Sequence, residues 1–472
     1  MSQFTLGTKV LVKGFAGYGA QLNHNAFAQV TRDLGVTERH LQELERKVHR
    51  LAPRFVRIFF DPRALPGSVA NSDDLMQSFE RTVKLAQSAA STINITWTGG
   101  GQDHPDRNMK AFADVLAGLV RNHGATKLRW VTVGNEPNRT KITLKQYEAL
   151  YRRLRVHLNE HGLGRAKIGL MGGDLVQNNQ ARWCNHLAQH MSDVLDAWSI
   201  HVYWRYDELG PGVKAKLVKR LRDVRGICNE LALHHLNPKP VYVTEYGVRG
   251  IWRVKRNATG RDGTVKPKLV KVRSEPGIYK PKGPELKGRR VVDLNLNAFQ
   301  HAWFNLLAPT LGYQGLSKWD AYFAKYDLKE EPHPQEYGMI ARPQGSDWPL
   351  RPLFHLTRLF THTVKPGWNV REIAHAPGSQ IVAAFSAPSG GGLTLIGLDT
   401  AGATRIGPVK EQRSYRFSKL PKNKSLQLLY WNRHGHGLLT SPGQVRTDGG
   451  GNLTVEAPLH SVFAVTTIPV DV

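Results

Sequence analysis

Residues 131–137 read Val-Thr-Val-Gly-Asn-Glu-Pro, a short apolar β run that stops at Asn135-Glu136 and a proline. Residues 240–247 read Pro-Val-Tyr-Val-Thr-Glu-Tyr-Gly, a second such run that stops at Glu245. Proline ends ladder pairing and fixes a turn, so it keeps the Glu136 carboxyl group at the end of its strand. Glycosidic bond cleavage needs two carboxyl groups, and a barrel of parallel strands can hold both over one sugar. These two glutamates are therefore the first candidates for catalytic residues.

Short apolar runs recur along the chain, and helical stretches separate them. Eight strand candidates begin near Lys9, Arg54, Ile93, Arg129, Lys167, Ala197, Val241 and Gly312. Most gaps between them are about 30 to 45 residues, the size of one βα unit. This alternation favours a (β/α)8 barrel over residues 1–365. An open doubly wound sheet is the alternative, but no Gly-rich phosphate loop follows an early strand.

The pattern changes after Pro366-Gly367. A closing helix is predicted over residues 351–361, and short β-rich runs separated by glycine turns follow it. These runs are Gln380–Phe385, Leu393–Leu398, Leu426–Trp431, Leu453–Val455 and Val462–Thr467. We therefore predict an all-β sandwich over residues 366–472 that packs against the barrel.

Basic residues are concentrated in one segment. Residues 249–290 contain 14 lysines and arginines but only three acidic residues, within a chain of net charge +27. The segment follows the Glu245 strand, so we expect an inserted loop at the C-terminal face of the barrel, with β-hairpin character around Lys266–Arg273. The charge favours polyanions such as acidic glycans. A solvated loop and generic solubility are the alternative interpretations.

Several classes of site are disfavoured by composition. Only two cysteines, Cys184 and Cys228, occur in 472 residues, which excludes a disulfide framework and a cysteine-based zinc site. No histidine pair has further ligands at metal-binding spacing, so we expect no metal and no cofactor. No apolar run approaches the roughly 18 residues of a membrane span. The N-terminus lacks a signal-peptide core, so we expect a cytoplasmic chain as written, or an extracellular one if a signal was removed. The oligomeric state is left open.

The strand-end residues resemble those of clan A, the retaining (β/α)8 glycoside hydrolases whose acid/base and nucleophile end strands four and seven. Counted along the candidates, Glu136 ends the fourth strand and Glu245 the seventh. The resemblance implies that Asn135 bonds the sugar 2-hydroxyl. It also implies substrate-binding residues at other strand ends, namely Arg57 on strand two, His201 and Tyr203 on strand six, and Trp319 on strand eight. Asn-Glu-Pro-Asn at 135–138 is similar to the xylosidase/iduronidase and heparanase/glucuronidase families.

Physical roles follow for the two glutamates. As a general acid, Glu136 should rest protonated with a raised pKa, which partial burial can supply. As the nucleophile, Glu245 should stay ionised, and Arg57 nearby would favour that. Glu245 is in register with Val241 and Val243, so we expect all three on one strand face. Tyr203 or Tyr246 is expected to orient Glu245 by a hydrogen bond.

Other side chains near strand ends are candidates for substrate contact. Trp97, Trp204 and Trp319 follow strands three, six and eight, and indoles pack well on the C–H faces of sugars. Core packing is the alternative interpretation, with Trp319 favoured as a site residue. Asp61 and Asp174 also lie near strand ends.

The sequence thus predicts a retaining glycoside hydrolase that acts on an oligo- or polysaccharide, with an anionic glycan favoured by the basic insertion. Two alternatives stay open, a polyanion-binding protein on a barrel scaffold and a transglycosylase. Nucleic acid is disfavoured as a partner because no recognised nucleic-acid fold is visible.

Overall fold

The computed structural model describes residues 2–99, 104–177, 180–205, 211–233, 239–249, 252–259, 265–271, 291–325, 337–376, 378–401 and 411–472. Within these residues, eight strands close into a parallel barrel and nine others form an all-β sheet. The predicted fold class, a (β/α)8 barrel with an all-β sandwich, is confirmed.

After a first strand, β1 (Ser2–Phe15), the barrel strands follow in sequence and pair in parallel with their neighbours. They are β2 (Gly17–Leu22), β3 (Phe55–Phe60), β4 (Thr92–Trp97), β5 (Leu128–Val133), β6 (Gly169–Leu175), β7 (Ala197–Arg205), β8 (Val241–Arg249) and β11 (Gly315–Lys318). The strand that bears Glu245 is therefore the seventh of the barrel, and the one that leads into Glu136 is the fourth.

Helices connect these strands, as expected for βα units. They are α1 (Gln29–Arg32), α2 (Glu38–Leu51), α3 (Ser72–Ala89), α4 (Pro105–Asn122), α5 (Leu144–Glu160), α6 (Gln180–His190), α7 (Pro211–Leu233), α8 (Asn295–Thr310) and α9 (Pro352–Thr363). Reciprocal capping starts α5, because the Thr143 hydroxyl accepts from the Gln146 amide and the Gln146 side chain accepts from the Thr143 amide. Within the described part of the chain, no helix combines the length and hydrophobicity needed to cross a membrane.

The amino-terminal end of the barrel interior is filled by apolar side chains. Phe55, Trp130, Met171, Ala197 and Tyr242 form one buried cluster there, and the Tyr242 ring lies 5.1 Å from Phe55 and 5.5 Å from Trp130. This floor leaves polar side chains to gather at the carboxyl ends of the strands, the end at which barrel active sites lie.

The remaining module is a nine-stranded sheet that contains β1 and eight strands from the chain after the barrel. These strands are β12 (Trp368–His375), β13 (Gln380–Ser386), β14 (Leu393–Asp399), β15 (Gln412–Ser418), β16 (Ser425–Asn432), β17 (Leu439–Arg446), β18 (Leu453–Pro458) and β19 (Ser461–Thr466). The order of strands across the sheet is β17-β16-β19-β14-β13-β12-β1-β15-β18. Side chains from both halves of the sheet, such as Phe417 and Phe463, share one core, so the sheet curls over itself as a sandwich.

The N-terminal boundary of the predicted barrel is wrong. Strand β1 pairs antiparallel with β12 and parallel with β15, so residues 2–15 belong to the sandwich and the barrel begins at Gly17. The strand predicted near Lys9 exists, but its partners lie more than 350 residues away, and no local pattern reveals such a pairing. The other predicted limit, at residue 365, falls between α9 and β12.

Only part of the basic insertion lies within the described residues. There, β9 (Trp252–Thr259) and β10 (Val265–Lys271) pair antiparallel, in agreement with the expected β-hairpin character. The other residues of the predicted insertion at 249–290, namely 250–251, 260–264 and 272–290, lie outside the described ranges.

We predict that Phe4 is a main stabilising contact of the β1 strand. Phe4 is fully buried and packs on Tyr415 and Phe417, so Phe4→Ala should lower the free energy of unfolding by about 3–5 kcal/mol. Val10 lies in the same strand but is 43% exposed, so Val10→Ala should change it by about 0.5 kcal/mol or less. Urea denaturation followed by circular dichroism measures both. Equal effects of the two substitutions would contradict the placement of β1.

Candidate active site

The two glutamates meet at the carboxyl end of the barrel. Strand β5 ends at Val133, and Glu136 adopts the left-handed conformation (φ 50°, ψ 50°) just before the 3-10 turn Pro137–Arg139. Such a backbone costs of order 1–3 kcal/mol for a residue with a side chain, and such conformations cluster at active sites. One carboxylate oxygen of Glu136, one of Glu245 and a ring nitrogen of His201 all lie within 4.8 Å of one another.

A bulge in β8 aims Glu245 into the barrel. Val243 pairs with Ile200 and Glu245 with the next residue, His201, so β8 holds one extra residue between these pairs. The pairing with β11 shows the same extra residue. Because Tyr242 belongs to the interior floor, Val241 and Val243 point outwards, and Glu245 does not share their face. The expected shared face is wrong, since the bulge turns Glu245 inwards.

Arg57 is the central polar contact of the site. Its guanidinium is fully buried, and each of its five N–H groups has an acceptor. The acceptors are Thr96 Oγ1 (3.1 Å), Gln21 Oε1 (2.8 Å), Glu245 Oε2 (2.9 Å), Asn135 Oδ1 (2.8 Å) and Asp174 Oδ2 (2.5 Å). Arg57 thus fixes Glu245, which lies within β8, and Asn135, which follows β5.

Asp174 and Asp61 do not take the expected role. Asp174 is fully buried; its carboxylate accepts from Arg57 and from the Thr244 hydroxyl, so it holds Arg57 in place. Burial would raise the pKa of Asp174, but Arg57 and His201 outweigh it and hold the pKa far below its usual range. Asp61 caps the turn after β3 and forms an ion pair with Arg63 at 2.5 Å.

His201 lies between three carboxylates. Its Nδ1 is 3.1 Å from Glu136 Oε1 and 3.6 Å from Glu245 Oε2, and its Nε2 is 3.6 Å from Asp174 Oδ1. Burial alone would lower the pKa of His201, but the charge of Glu245 and the contacts with Asp174 and Glu136 raise it to about 9. At neutral pH the imidazole is therefore protonated, and its Nδ1–H donates to Glu136.

Glu136 is held in its ionised form. Burial pushes its pKa up, but the hydrogen bond from His201 and the cation of Arg139 outweigh this and lower the pKa. Arg139 Nη1 donates to Glu136 Oε2 at 2.7 Å. The expected raised pKa of Glu136 is therefore wrong, because two cations, His201 and Arg139, contact its carboxylate.

Glu245 shows the opposite shift. Burial is the largest influence and raises the pKa of Glu245, Glu136 adds to the rise, and His201 and Arg57 only partly oppose it. Arg57 lowers the pKa of Glu245 as expected, but burial outweighs this effect, so the net shift runs against the expected ionised state. The orienting tyrosine is Tyr203, whose hydroxyl donates to Glu245 Oε1.

Three predicted substrate-binding aromatics are core residues instead. Trp97 packs on Phe60 and Phe112 outside the barrel wall, with ring centroids 5.7 Å and 5.2 Å away. Trp204 and Tyr246 point towards α8. The Trp204 indole N–H donates to Gln300 Oε1, and the Tyr246 hydroxyl donates to Asn305 Oδ1. Each follows a residue that faces the interior, namely Thr96, Tyr203 and Glu245, so each lies on the outer face.

Trp319 remains a candidate for packing against the face of a sugar ring. Its ring is partly buried, lies 5.7 Å from Phe59 and packs against Val292 and Tyr337. Phe59 in turn lies under the Arg57 guanidinium at 4.5 Å, which places Trp319 beside the polar cluster.

Lys318 holds the backbone around Trp319 in place, a role that was not predicted from the sequence. Its Nζ donates to the carbonyl oxygens of Trp319 and Tyr337. Burial is the main cause that lowers the pKa of Lys318 to about 7, despite the nearby charge of Asp320. A lysine that directly precedes a strand-end tryptophan was the available sequence signal.

Glu136, His201 and Glu245 also have the spacing of three metal ligands. However, His201 carries a proton at neutral pH, and the guanidinium groups of Arg57 and Arg139 already bond the two carboxylates. A divalent cation would have to displace these cations, so the donor set fits a metal poorly.

Comparison with known proteins gives the fold. No protein-family model and no curated protein sequence matches the chain. A solved structure that resembles it is the thermostable GH51 α-L-arabinofuranosidase from Thermotoga petrophila RKU-1, with TM-score 0.65, 13% identity and coverage of 99% of this chain and 100% of that one. A GH30 endoxylanase from Clostridium papyrosolvens C71 is similar with a TM-score of 0.64 and 10% sequence identity, and the coverage of the two chains is the same. The chain has the fold of the clan A glycoside hydrolases.

A second GH30 enzyme, xylanase C from Talaromyces cellulolyticus, gives a TM-score of 0.64 at 11% identity, covering 99% of this chain and 100% of that one. The suspected clan A fold is thereby confirmed. At such low identity the likeness concerns the fold alone.

The raised pKa of His201 predicts a specific pH dependence of stability. Since the folded pKa of about 9 lies above the ordinary 6.5, the stabilisation is complete below pH 6.5 and is lost as the pH rises through 9. The difference in free energy of unfolding between the wild type and His201→Gln should shrink by about 3 kcal/mol across this window. Urea denaturation at pH 6, 7.5 and 9 measures it.

His301 offers a matched control. Burial and then Lys318 lower its pKa to about 3, so its contribution is constant above pH 6.5. His301→Gln should therefore give a stability curve parallel to that of the wild type between pH 6.5 and 9. If the His201→Gln curve were also parallel, His201 would not carry the proton assigned to it.

Proposed function

We propose that the protein is a retaining glycoside hydrolase in which Glu136 is the acid/base and Glu245 the nucleophile. The observation that carries the proposal is the approach of the two carboxylates to within 4.8 Å, one just after the fourth barrel strand and the other within the seventh. Retaining enzymes hold their carboxyl groups about 5–5.5 Å apart, whereas inverting enzymes need about 6.5–9.5 Å to admit a water molecule.

The contacts of Glu245 suit a nucleophile. Arg57 donates to its Oε2 and Tyr203 to its Oε1, so the carboxylate cannot rotate away from the centre of the barrel. In the first half-reaction a Glu245 oxygen attacks the anomeric carbon, and the glycosidic bond breaks with its electron pair moving to the leaving oxygen. That oxygen takes a proton from Glu136.

The second half-reaction reverses these roles. Glu136 removes a proton from water, the water oxygen attacks the anomeric carbon, and the bond to Glu245 breaks. The ionised state in which His201 and Arg139 hold Glu136 is suited to this general-base step. Asn135 Oδ1 is fixed by Arg57, so its amide nitrogen is the group that would donate to a sugar 2-hydroxyl.

The substrate class that we propose is a negatively charged oligo- or polysaccharide. The net charge of +27 and the basic segment at residues 249–290 support this class. Exposed charge attraction is screened within about 10 Å at 0.1 M salt, so turnover of an acidic glycan should fall as salt is raised. Salt-insensitive turnover of neutral oligosaccharides alone would count against it.

The nucleophile assignment is tested with Glu245→Gly on a panel of neutral and acidic aryl glycosides. Loss of the nucleophile should reduce kcat by about 10⁴-fold or more. Azide should restore turnover and yield a glycosyl azide of inverted configuration, because a small anion can occupy the vacated space.

Glu160→Gln provides the control for the removal of a carboxylate. Glu160 lies on α5, is 60% exposed at its side chain and contacts His157, so its loss should leave kcat unchanged. Wild-type turnover in Glu245→Gly would end the assignment.

A further inference from the structure

The turn after Glu136 places an arginine on the proposed general acid. Arg139 Nη1 lies 2.7 Å from Glu136 Oε2, and the Arg139 side chain is 53% exposed, against 14% for Glu136. A general acid must carry a proton, yet a guanidinium bonded to its carboxylate favours the ionised form. The contact therefore opposes the first step of the proposed reaction.

The contact is built into the local fold. The Arg139 amide donates to the Glu136 carbonyl at 2.9 Å and closes the 3-10 turn. Asn138 anchors this turn to the chain after β6, because its amide nitrogen donates to the Val176 carbonyl and its Oδ1 accepts from the Val176 amide. A side chain three residues after Glu136 is thus held on the same side of the turn.

Both carboxylate oxygens of Glu136 are occupied in this arrangement. Oε1 accepts from His201, which is fully buried and is also held by Asp174 and Glu245. Oε2 accepts from Arg139. A glycosidic oxygen must approach one of these two atoms, and the exposed Arg139 is the partner that can leave.

Of the two cations that contact Glu136, Arg139 is the one whose side chain can move away. Among the described residues, the titratable groups facing Glu136 are His201 from β7, Glu245 from β8 and Arg139 from its own turn. The two cations together lower the pKa of Glu136 against the effect of burial. When Arg139 moves away, His201 is the remaining cation among the described residues that is hydrogen-bonded to Glu136.

We propose that Arg139 recognises an acidic group on the leaving-group side of the substrate, and that its transfer from Glu136 to this group frees Oε2 to act as the general acid. Oε2 takes its proton from solvent water and passes it to the glycosidic oxygen as the glycosidic bond breaks. This inference rests on the proposed function and names the substrate class on the leaving-group side.

An acidic group suits this exchange better than a hydroxyl. Charge-assisted hydrogen bonds from a guanidinium to a carboxylate or sulfate are roughly twice as strong as neutral ones. A neutral sugar would leave Arg139 with a weaker partner than Glu136, whereas an acidic sugar replaces one carboxylate contact with another of the same kind. Substrate binding and activation of the acid are thereby coupled.

The test measures the pKa of Glu136 directly, by ¹³C NMR of protein labelled at the glutamate carboxyl carbon, with the signal assigned by its loss in Glu136→Gln. Arg139→Gln should raise the pKa of Glu136 by about 0.5–1 unit, less than a buried pair would give because Arg139 is half exposed. Lys141→Gln removes the same charge two residues further along and should leave the pKa unchanged.

In the second part of the test, the pKa of Glu136 is measured with added oligosaccharides. A heparin tetrasaccharide, which carries carboxylates and sulfates, is the acidic probe, and cellotetraose is the neutral probe. The acidic probe should raise the pKa of Glu136 in the wild type but not in Arg139→Gln, and cellotetraose should not raise it in either. Binding of the acidic probe should weaken about fivefold in Arg139→Gln and remain unchanged in Lys141→Gln.

An unchanged Glu136 pKa in Arg139→Gln, or equal effects of the two probes, would overturn the inference. These readouts need no turnover, so they are separate from the test of the proposed function. If Glu245→Gly kept wild-type activity while Arg139→Gln still shifted the pKa, the catalytic assignment would fail and the ion pair would stand.

Discussion

The site depends on the hydrogen bonds that the buried guanidinium of Arg57 makes. Its five hydrogen bonds reach from the second barrel strand to residues on or just after the first, third, fourth, fifth and seventh strands. Burying an ion costs several kcal/mol unless every donor finds a partner. Here all five N–H donors have an acceptor. Removing one acceptor would leave a buried N–H group without a hydrogen bond and would weaken the positioning of both Glu245 and Asn135.

Two irregular strands make this convergence possible. Strand β6 has a β-bulge, with one extra residue relative to its partner β7. Asp174 lies in this bulge and adopts a left-handed backbone conformation. Strand β8 has the same kind of bulge at Glu245. Without these extra residues, strict alternation would turn each carboxylate to the opposite face of its strand. The apolar floor below Arg57 closes the other end, so the charged side chains meet at the carboxyl end of the barrel.

Much of this arrangement could be predicted from the sequence. The Asn-Glu-Pro triplet after an apolar run, the spacing of the strands and Arg57 within Phe55–Phe60 place the main residues correctly. Both faces of a barrel strand are buried, however, so hydrophobicity alone does not distinguish inside from outside. Trp97, Trp204 and Tyr246 were misassigned for this reason, although each directly follows an inward residue and strand alternation alone would have corrected them.

Other features could not be read from local patterns. The bulge at Glu245 arises from pairing with two neighbouring strands, and β1 finds its partners far along the chain. The charge balance of Glu136 depends on His201, which comes from another strand, and on Arg139, which a pattern of four residues could have revealed. An arginine three residues after a strand-end glutamate is the sequence pattern that indicates such a contact.

The central claim is that two carboxylates at one sugar act by double displacement. The most direct measurement is the ¹H NMR spectrum of the first product released from a glycoside that the protein hydrolyses, recorded before mutarotation. The separation of Glu136 and Glu245 predicts a product with the same anomeric configuration as the substrate. An initial product of inverted configuration would contradict the account.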